Sequence, residues 1–450
     1  MRSRNLTTGS IWANIASFSL PYMLSYFLQI LYGLADLFVI GQYCGVESTT
    51  AVSNGAQVMY MFTVIVIGLA MGTTVLTARA VGAGDKARAS VVIGNTITVF
   101  LLASIVASAV LLGLRGQIAE IMDTPAEAVG GMVSYLTVCF IGIPFIVAYN
   151  IISSVFRGLG DSRSPMYFVG IACIFNISLD YLFIGLLGWG PVGAALGTTL
   201  SQMVSVLAAL FIIRRHRSLL DVRRSDLHLR RHVVADIFKI GVPISLQDGF
   251  VQVAFIAITV IANGRGLYDA AAVGIVEKFI GLVFIVPSAM LSTVSAISSQ
   301  NIGAGNLSRA IDTMKSAMKV VVVYGLVVSL ILQFVPHLAV RIFTDDAHVV
   351  ALGGEYLRGY TWDCIFAGLH FCFSGFFTAC GYSIISFAHN FITISCARIP
   401  LAYLTSAAFP TTLYPMGLAT AFASFFSVLI CLAAFIWMRR RNFLNAGKAA

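Results

Sequence analysis

Two aspartates interrupt apolar stretches in the first half of the chain. Asp36 lies in Leu31-Tyr-Gly-Leu-Ala-Asp, and Asp180 lies four residues after Asn176, so that Asn176 and Asp180 would share a helix face. Thr198 and Thr199 are expected at a similar depth. Oxygens of these kinds suit a hard cation such as Na⁺, whereas a carboxylate in a low dielectric could hold a proton instead. The alternative is a structural hydrogen-bond cluster.

The second half carries its own charged residues within apolar stretches, namely Asp248, Glu277, Lys278, Asp363 and Arg398. A charge inside a membrane span is unfavourable by roughly 2.5–3.5 kcal/mol on insertion scales, so Arg398 needs a counter-charge. We expect a structural ion pair of Arg398 with Asp363 or Glu277. Lys278 could extend outward along its aliphatic stem, and Asp248 lies near the inner end of its span.

The composition shows what kind of element must position these groups. Apolar residues make up 58% of the 450 residues, charged residues 10%, and the mean hydropathy is +0.91. Soluble domains have roughly 45–50% apolar and about 25% charged residues, so a membrane must solvate most of this chain. Spans so apolar must be helices, because lipid offers no partner to unpaired backbone groups, and no barrel-like alternation is visible.

The apolar stretches predict an all-α membrane protein with about twelve transmembrane helices, the first of them retained as a helix. The predicted spans lie near residues 14–40, 52–78, 91–113, 131–156, 165–187, 191–213, 237–261, 271–297, 317–336, 357–379, 385–407 and 414–437.

Basic residues indicate the orientation of the spans. Of the 28 Lys and Arg residues, only four are assigned to the less basic side: Arg115, Arg265, Arg341 and Arg358. The basic side is therefore expected to be cytoplasmic, with both termini inside and the chain in the cell (inner) membrane. The net charge of +9 is then a topology signal, and we expect no nucleic-acid partner.

The two halves of the chain resemble each other at a nearly constant offset of 221 to 224 residues. Pro21 is matched by Pro243, and Gly193 by Gly417; Val81-Gly-Ala-Gly-Asp is matched by Ile302-Gly-Ala-Gly-Asn. Each half contains an even number of spans, so the halves are parallel repeats with a cavity expected between them. The predicted organisation is a six-helix lobe at 1–213, a basic cytoplasmic linker at 214–236, and a six-helix lobe with a basic tail at 237–450.

The order of these landmarks resembles the multidrug and toxic compound extrusion (MATE) family over essentially the whole chain. The resemblance implies two six-helix lobes that form a V and an antiport of organic cations against H⁺ or Na⁺. The matching segments are Pro21 to Asp36 with Phe38-Val-Ile-Gly41, Arg157-Gly-Leu-Gly-Asp161, Asn176 to Asp180, Gly193-Ala-Ala, Gln300-Asn-Ile-Gly-Ala-Gly305 and Arg398-Ile-Pro400.

Carried over residue by residue, the coupling site of the DinF-like branch falls in the first lobe. It comprises Gln29, Tyr32, Asp36, Asn176, Asp180 and Thr198, with Asn150 as a further member, and Na⁺ would bind at Asp36 and Asp180. The NorM-like branch has a second acidic site on span 7, but the corresponding segment here is Phe250-Val-Gln252, without a carboxylate. This departure favours the DinF-like branch.

The resulting hypothesis is a secondary antiporter, with Pro21 as a weak point at which the first helix can bend. The expected partners are a small organic cation with an apolar body and membrane lipid. No cofactor other than the coupling ion is expected. One chain with two lobes can form a cavity alone, so we expect a monomer. The alternatives are a lipid-linked precursor flippase of the same superfamily and a major-facilitator carrier. A membrane enzyme is disfavoured, because the seven histidines are scattered and form no metal motif.

Overall fold

The computed structural model describes residues 5–215 and 222–441, which form helices and their connections without any strand. The first half contains α1 (Ile11–Tyr43), α2 (Val46–Gly82), α3 (Lys86–Ile121), α4 (Ala126–Ile141), α5 (Ile143–Gly158), α6 (Arg163–Asp180) and α7 (Gly190–Arg215). The second half contains α8 (Arg231–Asn263), α9 (Leu267–Val283), α10 (Ile285–Gly303), α11 (Leu307–Phe334), α12 (Pro336–Arg341), α13 (Ala347–Tyr360), α14 (Asp363–Ala379), α15 (Ser383–Thr393), α16 (Ile399–Ala408) and α17 (Tyr414–Arg440).

The number of membrane-spanning elements agrees with the sequence pattern. In the described part of the chain, ten helical stretches are long and apolar enough to cross a membrane, and the bent pair α4 and α5 makes an eleventh. Helix α14 is a shorter apolar helix, and together with the end of α13 it covers the span predicted at 357–379, which brings the total to twelve. The all-α membrane fold predicted from composition is therefore confirmed.

The repeated glycine motif forms the same turn in both halves. Gly84 and Gly305 have φ angles of 73° and 75°, in the left-handed region that favours glycine. The residue that follows each glycine caps the next helix: Asp85 accepts from the Arg88 amide at 2.8 Å and Asn306 accepts from the Arg309 amide at 3.2 Å. The internal repeat is thus visible in backbone geometry.

Several predicted spans are broken helices. Helices α4 and α5 meet at an angle of 51° around Gly142, where Pro144 follows within the first turn of α5. A Cβ on Gly142 would lie less than 3.0 Å from the side chain of Thr199. The absence of a side chain here lets the bend pack directly against α7, beside Thr198. Another predicted span is interrupted between Tyr360 and Asp363, which separates α13 from α14.

The chain divides into two compact units whose boundaries differ from those that the repeat predicts. The first unit includes Leu20–Gly241, and the second includes Leu6–Ser19 together with the chain from Val242 onward. Helix α1 therefore begins in the second unit, and α8 begins in the first. Residues 216–221 of the predicted linker and residues 442–450 of the predicted basic tail lie outside the described residues.

The segments that precede α1 and α8 are held by side-chain hydrogen bonds. In the first unit, Asn95 donates to the Asp226 carbonyl at 3.2 Å and accepts from the Arg230 amide at 2.6 Å. In the second unit, the Leu6 amide donates to Gln300 Oε1 at 3.1 Å, and Asn301 donates to the Leu6 carbonyl at 3.4 Å. Each helix start is thus fixed to its own unit by buried amides.

Candidate functional site

The two aspartates singled out in the first half meet inside the first unit. Asp36 lies on α1 with 7% of its surface exposed, and Asp180 is the fully buried last residue of α6. The hydroxyl of Thr198 on α7 donates to Asp36 Oδ2 at 3.0 Å. The carboxyl group of Asp36 also neighbours the carboxyl group of Asp180 and the side-chain amide of Asn176. Three helices thereby bring two carboxyl groups into one buried cluster.

The approach of Asp180 to α7 depends on a glycine. A Cβ on Gly197 would lie less than 3.0 Å from Asp180 Oδ1 and 3.7 Å from Asn176 Nδ2. Immediately after Asp180, the chain changes from an α-helix to a π-helix over Tyr181–Leu186. Such π segments are rare and are frequently found at functional sites. Sequence reasoning did not identify Gly197, although its position directly before Thr198 places it at the right depth.

Most of the polar atoms in this cluster make no hydrogen bond of regular geometry, although they neighbour one another. Asp36 Oδ1, both carboxyl oxygens of Asp180 and both amide atoms of Asn176 are buried without a hydrogen bond of sound geometry. Buried polar groups are satisfied in the great majority of cases, so a concentration of unsatisfied acceptors requires an explanation. Two neighbouring buried carboxyl groups can both stay ionised only if a cation compensates their charge; otherwise one of them holds a proton. The arrangement can therefore bind H⁺, or Na⁺ through carboxyl and amide oxygens.

The other residues carried over from the family resemblance line the first unit at greater distance from the pair. Tyr32 is one turn from Asp36 on α1 and lies beside Gln202 of α7. Gln29 and Asn150 line a separate small cavity whose walls include neither aspartate. Gln202 was not predicted, although it lies four residues after Thr198 and therefore on the same face of α7.

The predicted ion pair of the second unit requires correction. In the described part of the chain, the only ion pair within 4.0 Å joins Arg265 to Asp269. Arg398 instead donates to the Tyr360 hydroxyl at 2.8 Å, and its guanidinium lies 5.2 Å from the centre of the Phe255 ring. An aromatic face attracts a guanidinium by about 0.5–2 kcal/mol. Aromatic groups therefore take the place of a direct carboxylate partner.

The two carboxylates expected to pair with Arg398 have different neighbours. Asp363 occupies the first turn of α14, where the helix dipole stabilises a negative charge. Glu277 Oε2 accepts from the Thr259 hydroxyl at 3.3 Å. Both carboxylates act on Arg398 only through longer-range electrostatics.

A buried histidine pair in the second unit was missed, because the two residues are far apart in sequence. The rings of His370 and His389 lie 5.5 Å apart between centroids. His389 Nε2 is 2.8 Å from the Ser374 hydroxyl, and Nδ1 is 2.7 Å from the Ser427 hydroxyl. Only the packing of α14, α15 and α17 brings these side chains together.

The MatE family model matches the chain twice, at residues 21–182 and 243–404. The two matches are separated by the same offset as Pro21 and Pro243, which agrees with the internal repeat found in the sequence.

Individual relatives are similar over nearly their whole length. The probable multidrug resistance protein YpnP of Bacillus subtilis (strain 168) is 28% identical over 410 residues, covering 90% of this chain and 91% of the relative. The multidrug export protein MepA of Staphylococcus saprophyticus is 24% identical over 374 residues, covering 83% of this chain and 82% of MepA. The crystal structure of a MATE protein in the straight conformation has a TM-score of 0.90 at 23% identity, with 99% of both chains covered. The structural likeness establishes a common fold.

Proposed function

The chain belongs to the MatE family, and on that premise we propose that it is a secondary antiporter exporting small organic cations in exchange for H⁺ or Na⁺. Relatives that are similar over most of this chain are named as multidrug export or multidrug resistance proteins. The family is one of transporters rather than enzymes, and the many apolar helices make this a multi-pass membrane protein.

One observation carries the assignment of the coupling site. Three buried carboxyl oxygens of Asp36 and Asp180 make no regular hydrogen bond, and they lie in a single cluster in which their polar neighbours are one another and the Asn176 amide. A purely structural network would satisfy these atoms with donors, because an unsatisfied buried polar group is unfavourable by about 1–3 kcal/mol. A group that binds and releases an ion must instead leave acceptors available. This favours a coupling role over the structural alternative.

In the proposed cycle, ion binding removes one negative charge from the carboxyl pair and changes the preferred conformation of α1. Cargo is released outward as the ion binds, and the ion is then released on the cytoplasmic side. Binding of one must weaken binding of the other, and the coupling free energy is reciprocal. The basic face of the protein is proposed to be cytoplasmic, as its concentration of Lys and Arg favours.

Pro21 is proposed as the bending point of α1. It lies inside the helix, two residues after the boundary between Ser19 in the second unit and Leu20 in the first. Proline has no amide hydrogen and clashes with the preceding turn, so it weakens a helix interior. A weak point where the helix changes unit would let the part that carries Asp36 change its angle.

Pro21→Ala should slow export several-fold while leaving ion binding at the aspartates intact. Restoring the helical hydrogen bond makes the bent state of α1 less accessible, because a helix-interior proline destabilises a helix by about 3 kcal/mol. The measurement is the initial rate of dye export by purified protein in liposomes. Pro415→Ala is the matched control, since Pro415 occupies the first turn of α17, where proline is tolerated. A native rate for Pro21→Ala would contradict the hinge.

The proposed function itself is tested by transport in liposomes that contain only this protein. A cationic dye should accumulate against its gradient when a proton or a sodium gradient is imposed, and the effective gradient identifies the ion. Dye movement that is independent of both gradients would exclude antiport.

A further inference from the structure

A polar stripe runs along α1 from the aspartate pair toward the basic face. Five polar residues follow one another at intervals of three or four positions, which places them on one side of the helix. They are Tyr22, Ser25, Gln29, Tyr32 and Asp36. With a rise of 1.5 Å per residue, the stripe is about 21 Å long. Tyr22 and Ser25 are buried, with 4% and 6% of their surfaces exposed. A stripe this long is not needed to bind an ion at Asp36.

Helix α5 presents a second polar row to this stripe. A cavity lies between the two helices. It is lined on α5 by Tyr149, Asn150, Ser153 and Arg157, and on α1 by the stripe residues Tyr22, Ser25 and Gln29. The cavity measures about 10 Å³, which is room for a single water molecule. The hydroxyl of Ser153, a residue only 1% exposed, makes no hydrogen bond of regular geometry, and its polar neighbour is the Tyr149 hydroxyl. A cavity of this size beside two hydroxyl groups offers a position for one water molecule.

The polar stripe on α1 and the polar row on α5 together form a column, which ends at an arginine on the basic face. Arg157 lies in the last turn of α5, and its guanidinium is 5.2 Å from the centre of the Tyr22 ring. The guanidinium donates to the Ser154 hydroxyl at 3.1 Å, whereas its Nε has no partner. A fixed positive charge at the mouth of a narrow polar path raises the electrostatic barrier to protons and other cations.

We propose that this column is a proton path within the first unit, and that Arg157 is its gate. The inference rests on the proposed coupling role of Asp36 and Asp180. The proton leaves the Asp36 carboxyl group, passes along the Tyr32 and Tyr149 hydroxyls and intervening water, and reaches solvent beside Arg157. Each relay group accepts one proton and donates another, so only Asp36 changes its charge. A path too narrow for a hydrated Na⁺ favours H⁺ as the ion released there.

The gate is tested with purified protein in liposomes that contain a pH-sensitive dye, with a pH gradient and no cargo. Arg157→Gln should raise the proton leak about tenfold or more over the native protein, and Arg157→Lys should keep it low because the charge is preserved. Arg163→Gln is the matched control, since it removes an exposed arginine from the same face outside the column. Adding Asp36→Asn to Arg157→Gln should abolish the leak, because the path then lacks its proton-binding group.

A second variant tests the path without altering the gate. Ser153→Leu should fill the water position and slow proton-driven export about tenfold, with cargo binding unchanged and folding verified by thermal unfolding. A leak of Arg157→Gln equal to that of Arg163→Gln would overturn the proposal. A proton leak that persists when Asp36→Asn is combined with Arg157→Gln would also overturn the proposal. Export at the native rate by Ser153→Leu would overturn it as well. If Asp36→Asn alone exported normally, the coupling site itself would be refuted; loss of export in that variant without any leak in Arg157→Gln would refute only the path.

Discussion

Asp36→Asn and Asp180→Asn should each abolish ion-driven export while leaving membrane insertion intact. Asparagine resembles the neutral carboxyl group in shape but can neither release a proton nor compensate the charge of Na⁺, so the cluster would stay in one state. Coupling free energies of about 1–3 kcal/mol correspond to roughly 5–150-fold changes in affinity, and without this coupling an ion gradient should drive no export. The measurement is dye uptake into inverted membrane vesicles, which corresponds to export from the cell, with protein amounts matched by immunoblot.

Asp363→Asn is the informative control for these variants. Asp363 is also a buried carboxylate, but it lies in the second unit at the start of α14. We expect its substitution to leave the ion dependence of export unchanged. If Asp36→Asn and Asp180→Asn exported at the native rate while Asp363→Asn did not, coupling would reside in the second unit.

Gly197→Ala should have an effect nearly as large, although it changes no polar group. The added methyl group would lie within 3.0 Å of Asp180 Oδ1, so the carboxyl group must shift from its place in the cluster. In catalysis, a displacement of about 1 Å can reduce a rate about 100-fold, and we expect a loss of at least tenfold in ion-driven export. The same vesicle assay measures it, together with the thermal unfolding temperature of the purified protein.

Gly113→Ala provides the matched comparison, because a Cβ at Gly113 on α3 would meet no atom within 4 Å. Export by this variant should be native. Native export by Gly197→Ala with a normal unfolding temperature would show that the close packing of Asp180 against α7 is not required for coupling.

The membrane spans and the first-unit carboxylates could be predicted from the sequence for a physical reason. Lipid forces apolar segments into helices, so composition and length indicate the spans almost directly. The same solvent makes a buried charge unfavourable, which is why Asp36 and Asp180 stood out. The internal repeat was also visible, because the glycine turns at Gly84 and Gly305 require the same backbone conformation.

Features that depend on packing between distant segments could not be predicted in this way. The interruption after Tyr360 and the assignment of Leu6–Ser19 to the second unit follow from tertiary contacts that leave no local periodicity. The partner of Arg398 was predicted as a carboxylate on charge alone, whereas Tyr360 and Phe255 take that place. The contact of Gly197 with Asp180 likewise appears only when α6 and α7 are packed together.

The central claim is that cargo and ion bind in competition at one neutralisable carboxyl pair, and the most direct test drives the cycle backwards. Purified protein in liposomes is given a cargo gradient with no ion gradient, and the counter-movement of H⁺ or Na⁺ is recorded. Reciprocity of coupling predicts that cargo movement drives the ion in the opposite direction in the native protein. It predicts no counter-movement in Asp36→Asn or Asp180→Asn. Cargo movement in the native protein without any opposite ion flux, or an undiminished ion flux in both variants, would contradict the account.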